Sequence, residues 1–175
     1  RDRSIKQKGR LDHIVDQVLG EVFSQIAKSE NYKDSVVFYR YILDNVSYQV
    51  DPLKARSYYH SMKMKEKFLW NLAQDELKAK YEILGTEEVI AQFQRMAILK
   101  AIDENWVEQV DYLQQLRTAL SGQYTVQKNP LVEFFQEAYQ SFDRMKTQTK
   151  EQIIRNLLLS RVEINNKGEI VLHFP

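Results

Sequence analysis

The sequence predicts an all-α fold that ends in a short β-hairpin. The 175 residues contain only five glycines and three prolines, a composition that favours long helices. Apolar residues recur at spacings of three and four over long stretches, as expected for helices with one buried face. The pattern changes to alternation in residues 161–175, around Asn165-Asn166-Lys167-Gly168, which predicts two strands joined by a tight turn.

Composition and charge limit the classes of function. Hydrophobic residues make up 43% of the chain and charged residues 28%, so a buried core is expected. The net charge of +1 gives no indication of a nucleic-acid partner. The chain has no cysteine, which excludes disulfides and thiolate metal sites. We expect a soluble polypeptide, since no apolar run reaches eighteen residues. The chain opens at Arg1 in a basic stretch, and we expect the natural start upstream.

The first half of the chain predicts a group of helices. Apolar spacing from Leu11 to Ile26 indicates the first one. The segment 34–46 is compatible with a helix or a strand, and Asp34 as an N-cap favours the helix. Asp51-Pro52 marks a turn or a helix start. A helix is then predicted from Tyr58 to Leu84, with Gly85 as its C-terminal stop. Its inward residues are predicted to be Met62, Leu69, Leu72 and Leu77.

The second half predicts two long antiparallel helices. Thr86 is a candidate N-cap, and an unbroken helical pattern follows as far as Leu120. Asn129 and Pro130 then open the second helix. Long helices joined by a short loop run antiparallel and share a seam, so residues 121–129 are the tip of a hairpin. The apolar pattern of the first helix consists of Val89, Ile90, Phe93, Met96, Ala97, Ile102, Trp106, Val110, Leu113, Leu116 and Leu120. That of the second begins with Leu131, Phe134, Phe135, Ala138, Tyr139, Phe142 and Met145.

Catalytic and metal-binding motifs are absent from the sequence. His13, His60 and His173 are scattered without ligand spacing, so no metal site is predicted. No phosphate-binding glycine loop and no nucleophile elbow occur, and no catalytic residue is proposed. Trp106 is most simply a core residue, although a tryptophan at a helix seam also suits a docking surface. The residues alone therefore predict a helical module with a projecting hairpin, which fits an interaction role better than catalysis.

Residues 101–158 resemble the C-terminal third of SecA, the ATP-driven motor family of bacterial protein export. The stretch "AIDENWVEQVDYLQQLRTALSGQYTVQKNPLVEFFQEAYQSFDRM" and the later "KEQIIRNLL" align with the family pattern without a gap. Weaker similarity at Gly20–Phe23 and Tyr81–Val89 extends the resemblance over nearly the whole chain as far as Arg161. The matching positions include Asp103, Trp106, Glu108, Leu116, Arg117, Gln127, Lys128, Pro130, Leu131, Glu133, Glu137, Phe142, Met145, Arg155 and Asn156.

The resemblance implies a division of the chain into four parts. Residues 1–6 would end a long scaffold helix, and residues 7–85 would form the helical wing domain. Residues 86–160 would form the helical scaffold with its two-helix finger, and residues 161–175 a short hairpin tail. In the family the fingertip contacts the translocating polypeptide at the mouth of a SecY-type channel. The implied contact residues here are Gln123, Tyr124, Thr125, Val126, Gln127 and Lys128.

The resemblance also implies partners and a location. ATP and magnesium would bind in upstream motor domains, and no cofactor would bind in this region. Asp103, Trp106, Arg117 and Arg155 are candidates for docking to those motor domains, and for the three charged residues the alternative is pairing inside the hairpin. The expected location is cytoplasmic and peripheral on the inner face of the cell membrane. No nucleic-acid partner is expected.

Departures from the family pattern favour an accessory SecA of Gram-positive bacteria. Thr125 occupies the place of the tip tyrosine, with Tyr124 one residue earlier, and Gln109 and Val110 replace histidine and leucine. These 175 residues also contain no cysteine, whereas most members carry a cysteine-rich zinc tail, so we expect that tail to be absent here. Accessory members imply an accessory channel and preproteins such as serine-rich glycosylated adhesins. Two alternatives stay open: a free-standing helical adaptor, and a regulatory region that restrains the ATPase.

Overall fold

The computed structural model describes residues 2–122 and 129–175, with side chains described from Leu11 onward. The all-α prediction with a C-terminal β-hairpin is confirmed. The α-helices are α1 (Asp2–Lys28), α2 (Ser35–Asn45), α3 (Pro52–Ser57), α4 (Met62–Leu84), α5 (Glu87–Ser121) and α6 (Pro130–Leu158). A 3-10 turn covers Glu30–Tyr32, and the strands are β1 (Arg161–Ile164) and β2 (Ile170–His173).

The predicted helix starts are confirmed by their capping hydrogen bonds. Asp34 accepts the backbone N–H of Val36 at 2.7 Å, so residues 34–46 form a helix and not a strand. Thr86 caps α5 and Asn129 caps α6 in the same way, through Val89 N–H at 3.3 Å and Leu131 N–H at 3.1 Å. Each cap satisfies an N–H that has no partner within its helix.

The single helix predicted from Tyr58 to Leu84 is wrong at its beginning. The helix is interrupted between Ser57, where α3 ends, and Met62, where α4 begins. Ser61 caps α4 by accepting the Met64 N–H at 3.1 Å. Met62, predicted to point inward, is 59% exposed because it lies in the first turn after this break. Leu69 and Leu77 are buried as predicted, and Gly85 ends α4 with φ of 80°.

The core joins the N-terminal helices to the base of the α5–α6 hairpin. Helix α1 packs against α4, α5 and α6, while α2 packs against α6. Large side chains from all these helices are fully buried in one cluster: Leu19, Phe23, Phe38, Ile42, Leu69, Phe93, Ile154 and Leu157. The predicted domain boundary at residues 85–86 stays a prediction.

The C-terminal hairpin has the predicted register. Val162 pairs with Leu172 and Ile164 with Ile170, so these four side chains share one face of the two-stranded sheet. Val162 is buried, and β1 lies against α4. Gly168 has φ of 77°, a backbone conformation that side chains other than glycine rarely adopt.

Lys65 is a buried cation in the N-terminal half of the chain. Its ammonium donates to the Tyr32 carbonyl at 3.0 Å and lies 4.6 Å from the centre of the Tyr59 ring. Burial lowers the pKa of Lys65, and the charge of Lys33 lowers it further. The carbonyl and the ring face offset the cost of removing this charge from water.

Candidate functional site

The candidate site is the part of the α5–α6 hairpin that extends beyond the core. On α5 after Ala101, the buried residues among those described are Gln109 and Leu120. On α6, Ser141 is the buried residue among those described before Ile153. Both helices in this stretch contact each other along the seam while their other sides face solvent. This stretch is called the outer hairpin below, and it comprises residues 102–122 and 129–148.

Large apolar side chains line the outward sides of both helices. On α5 they follow helical spacing and form the α5 apolar face: Met96, Leu99, Ile102, Trp106, Val107 and Val110. On α6 the exposed set is Leu131, Val132, Phe135, Tyr139 and Phe142. Contiguous apolar surface of this kind marks a site of contact with another protein surface. The apolar pattern predicted from the sequence thus includes residues that do not lie in the seam: Met96, Ile102, Trp106, Val110, Leu131, Phe135, Tyr139 and Phe142 are exposed.

Trp106 shows this correction most clearly. Its interpretation as a core residue is wrong, because its side chain is 53% exposed on the α5 apolar face. The inward positions beside it are held by the smaller polar residues Asn105 and Gln109. The exposed ring is consistent with the alternative interpretation as a docking surface.

The other docking candidates do not converge on one place. Asp103 lies one turn before Trp106 and is exposed on α5. Arg117 is also exposed and lies eleven positions beyond Trp106, which is about 16 Å closer to the tip. Arg155 lies at the base of the hairpin, so the four residues are spread along its length.

Arg155 is engaged within the chain itself. Its Nη1 donates to Asn45 Oδ1 at 3.1 Å, and its Nη2 donates to Gln152 Oε1 at 2.7 Å. The side chain is half-buried between α6 and α2. Arg155 therefore connects the hairpin base to the N-terminal helices.

The predicted fingertip lies outside the described residues. Gln123, Tyr124, Thr125, Val126, Gln127 and Lys128 are the six positions concerned. Their role in substrate contact stays a prediction.

Polar groups inside the hairpin were missed by the sequence interpretation. Gln109 Nε2 donates to Ser141 Oγ at 2.9 Å across the seam, and both side chains are buried. Nearer the base, fully buried Asn156 donates to the Ala97 carbonyl at 3.0 Å. A signal for Ser141 was available, because Phe134, Ala138, Ser141 and Met145 follow heptad spacing along one face of α6.

A second missed group, Lys80, ties α4 to the end of α6. Its ammonium donates to the Leu158 carbonyl at 2.7 Å and pairs with Glu76 at 3.2 Å. Glu76 also accepts from the Ser47 hydroxyl at 2.6 Å. Burial lowers the pKa of Lys80, while the charge of Glu76 and its hydrogen bond act in the opposite direction. An exposed ion pair between Lys150 and Glu21, at 2.7 Å, links α6 to α1 as well.

Two absences among the described residues bear on the kind of site. Among the side chains that the structure describes, in residues 11–122 and 129–175, no group of three or more histidine, aspartate or glutamate residues is placed to hold a metal ion. No described helix has both the length and the apolar character needed to cross a membrane.

Comparison with known families decides the relationship of the chain. The SecA Wing and Scaffold domain matches residues 1–161. The chain belongs to the SecA family. The resemblance found at residues 101–158 is thus confirmed and extends over most of the sequence.

SecA relatives with similar sequences carry the name protein translocase subunit SecA 2. The one from Streptococcus gordonii is 43% identical over 175 residues, which is the whole of this chain and 22% of the relative. That from Streptococcus sanguinis strain SK36 is 50% identical over 137 residues, covering 78% of this chain and 17% of the relative. A SecA 2 from Pediococcus pentosaceus is 31% identical over 166 residues, covering 94% of this chain and 21% of the relative. The chain spans about a fifth of the length of these SecA relatives.

Proposed function

We propose that this chain is the preprotein-engaging region of an accessory, ATP-driven SecA motor. The outer hairpin is a lever, and residues 123–128 at its tip contact the unfolded preprotein at a SecY-type channel. ATP and magnesium bind in motor domains outside this chain. The observation that carries the proposal is a hairpin held firmly at its base and exposed on its outward sides, in a chain of the SecA family.

The α5 apolar face supports docking of the hairpin to the motor domains. Trp106 is more than half exposed, and its neighbours on the face are also apolar. A face of this kind gains free energy when a partner surface removes it from water. Asp103 and Arg117 supply charges on the same helix for that interface, whereas Arg155 acts at the base. This docking gives a regulatory role as well, because a docked scaffold restrains movement of the motor.

The relatives' names support an accessory type of export. Each of the three is called SecA 2, and the name protein translocase describes those proteins. By extension we propose an accessory channel as the partner of this chain, with serine-rich glycosylated adhesins among the preproteins. The proposed location is the cytoplasmic face of the cell membrane. A free-standing adaptor is less favoured, since family membership covers residues 1–161.

Replacing the tip tests the proposal directly. In the full-length protein, residues 123–128 are exchanged for a glycine–serine segment of equal length. Export of the preprotein is expected to fall at least tenfold, while ATP hydrolysis without preprotein is retained. The matched control exchanges residues 164–169 of the C-terminal hairpin, which lie far from the tip in sequence. Unimpaired export by the tip variant would contradict the proposal.

A further inference from the structure

The seam between α5 and α6 contains a polar pair at its middle. Gln109 and Ser141 are joined by the 2.9 Å hydrogen bond, with 7% and 4% of their surfaces exposed. The Ser141 hydroxyl donates in turn to the Ala138 carbonyl at 2.8 Å. The hydroxyl thus accepts across the seam and donates within its own helix. A one-turn displacement of either helix would separate this pair.

The neighbouring polar side chain of Asn105 bonds within its own helix, donating to the Ala101 carbonyl at 2.7 Å. A cleft of about 200 Å³ opens beside the pair, lined by residues that include Glu108 and Arg144. This cleft occupies space that apolar side chains would fill in a tightly packed seam. Beside this cleft, the Gln109–Ser141 hydrogen bond joins α5 to α6.

The pair lies within the outer hairpin, beyond the base that the N-terminal helices hold. Asn156 bonds to the Ala97 carbonyl at the base, twelve positions or about 18 Å along α5 from Gln109. The base is also held from outside by Lys150 with Glu21 and by Lys80 with Leu158. Gln109 and Leu120 are the buried residues of α5 beyond Ala101 in the described range. Contacts between α5 and α6 across the seam therefore determine how a movement of the base is passed to the outer hairpin.

We propose that Gln109 and Ser141 are positioning residues that fix the register of α5 against α6. Axial slip would leave the buried Gln109 amide without its partner and Ser141 with only its bond to the Ala138 carbonyl, whereas an apolar seam tolerates several registers. Buried polar pairs have this effect in coiled coils. When two packed helices bend together, one must slide along the other. By resisting this sliding, Gln109 and Ser141 also stiffen the outer hairpin. This inference rests on the proposed function for its purpose, since a lever must transmit motion to its tip.

The register is measurable with two spin labels that lie on either side of the pair. Gln114→Cys and Thr147→Cys are exposed positions, one toward the tip and the other toward the base. The labels are placed in the full-length protein with cysteines elsewhere replaced, and their distance distribution is recorded. The unsubstituted seam is expected to give one narrow distance. The double substitution Gln109→Leu with Ser141→Ala is expected to add a second population, displaced by about 5 Å or one helical turn.

A matched control and a stability measurement separate register from general folding. Ser121→Ala with Gln136→Leu makes the same side-chain changes at exposed positions and is expected to keep the single distance. Ser141→Thr retains the hydroxyl and is expected to keep it as well. The apolar double variant is expected to unfold at an unchanged or higher temperature, since two buried polar groups are removed together.

The outcomes distinguish this inference from the proposed function. If the apolar double variant shows a single label distance, with an unchanged or narrower distribution, the inference is overturned. A lower unfolding temperature without a second population of label distances would overturn it as well. A narrower distance would instead identify the polar level as a flexible point of the hairpin. A second population with normal export would support the register role and contradict the lever. Failure of the tip exchange to reduce export would contradict the proposed function without affecting the distances.

Discussion

Lys80 shows how a single residue secures the base of the hairpin. It is 7% exposed, and it bonds to the last turn of α6 and to Glu76. Helix α6 ends with carbonyl groups that lack partners within the helix, and the Leu158 carbonyl is one of them. The Lys80 ammonium satisfies it and carries a positive charge at the helix C-terminus, where the helix dipole favours cations.

Lys80→Met is expected to lower the free energy of unfolding by about 2–3 kcal/mol. The substitution keeps the length of the side chain but leaves the Leu158 carbonyl and part of Glu76 without a partner. Urea unfolding followed by circular dichroism measures the change. Lys78→Met on the exposed side of α4 is the control and is expected to change stability by less than about 0.5 kcal/mol. Equal effects of the two substitutions would contradict this role for Lys80.

The pH dependence of stability reports on the same ammonium. Burial lowers the folded-state pKa of Lys80 below the unfolded value of 10.5. Between these two values the unfolded chain binds more protons, so the contribution of Lys80 to stability rises with pH. The difference in unfolding free energy between the wild type and Lys80→Met is therefore expected to widen from neutral pH toward pH 10. A difference that shrinks over this range would contradict the assignment.

At the scale of elements, α5 explains both the success and the failure of the sequence interpretation. Its start at Thr86, its end near Ser121 and its pairing with α6 were predictable, because capping and periodicity are local signals. The side that faces α6 was predictable only in part: Phe93, Ala97 and Leu120 are buried, but apolar periodicity does not show which partner covers a face. On α5, Asn105 and Gln109 lie toward the seam, whereas Trp106 and Val110 face outward.

Trp106→Ala tests whether the α5 apolar face docks to the motor domains. Because the ring is largely exposed, the stability of this chain is expected to change by less than about 1 kcal/mol. In the full-length protein, the loss of docking is expected to raise ATP hydrolysis in the absence of preprotein severalfold. Tyr48→Ala, an exposed aromatic residue between α2 and α3, is the control and is expected to leave hydrolysis unchanged. Unchanged hydrolysis in Trp106→Ala would contradict docking through this face.

At the scale of the whole molecule, the helical hairpin and the β-hairpin were predictable, whereas the connections between distant segments were not. Arg155 with Asn45, and Lys80 with Leu158, join residues far apart in sequence. A single sequence contains no local signal for such pairs, since each depends on how whole helices pack. The role of the tip came from family resemblance, because residues 123–128 contain no chemical motif that indicates a substrate.

The central claim is that the tip of the hairpin contacts the preprotein during export. The most direct test places one cysteine at Tyr124 in the full-length protein, with cysteines elsewhere replaced, and a second cysteine in a stalled preprotein. We expect a disulfide crosslink from Tyr124→Cys to the preprotein, and none from a control cysteine at the exposed Tyr48. Absence of the Tyr124 crosslink, with ATP hydrolysis and export intact, would contradict the claim and leave the hairpin as a docking scaffold.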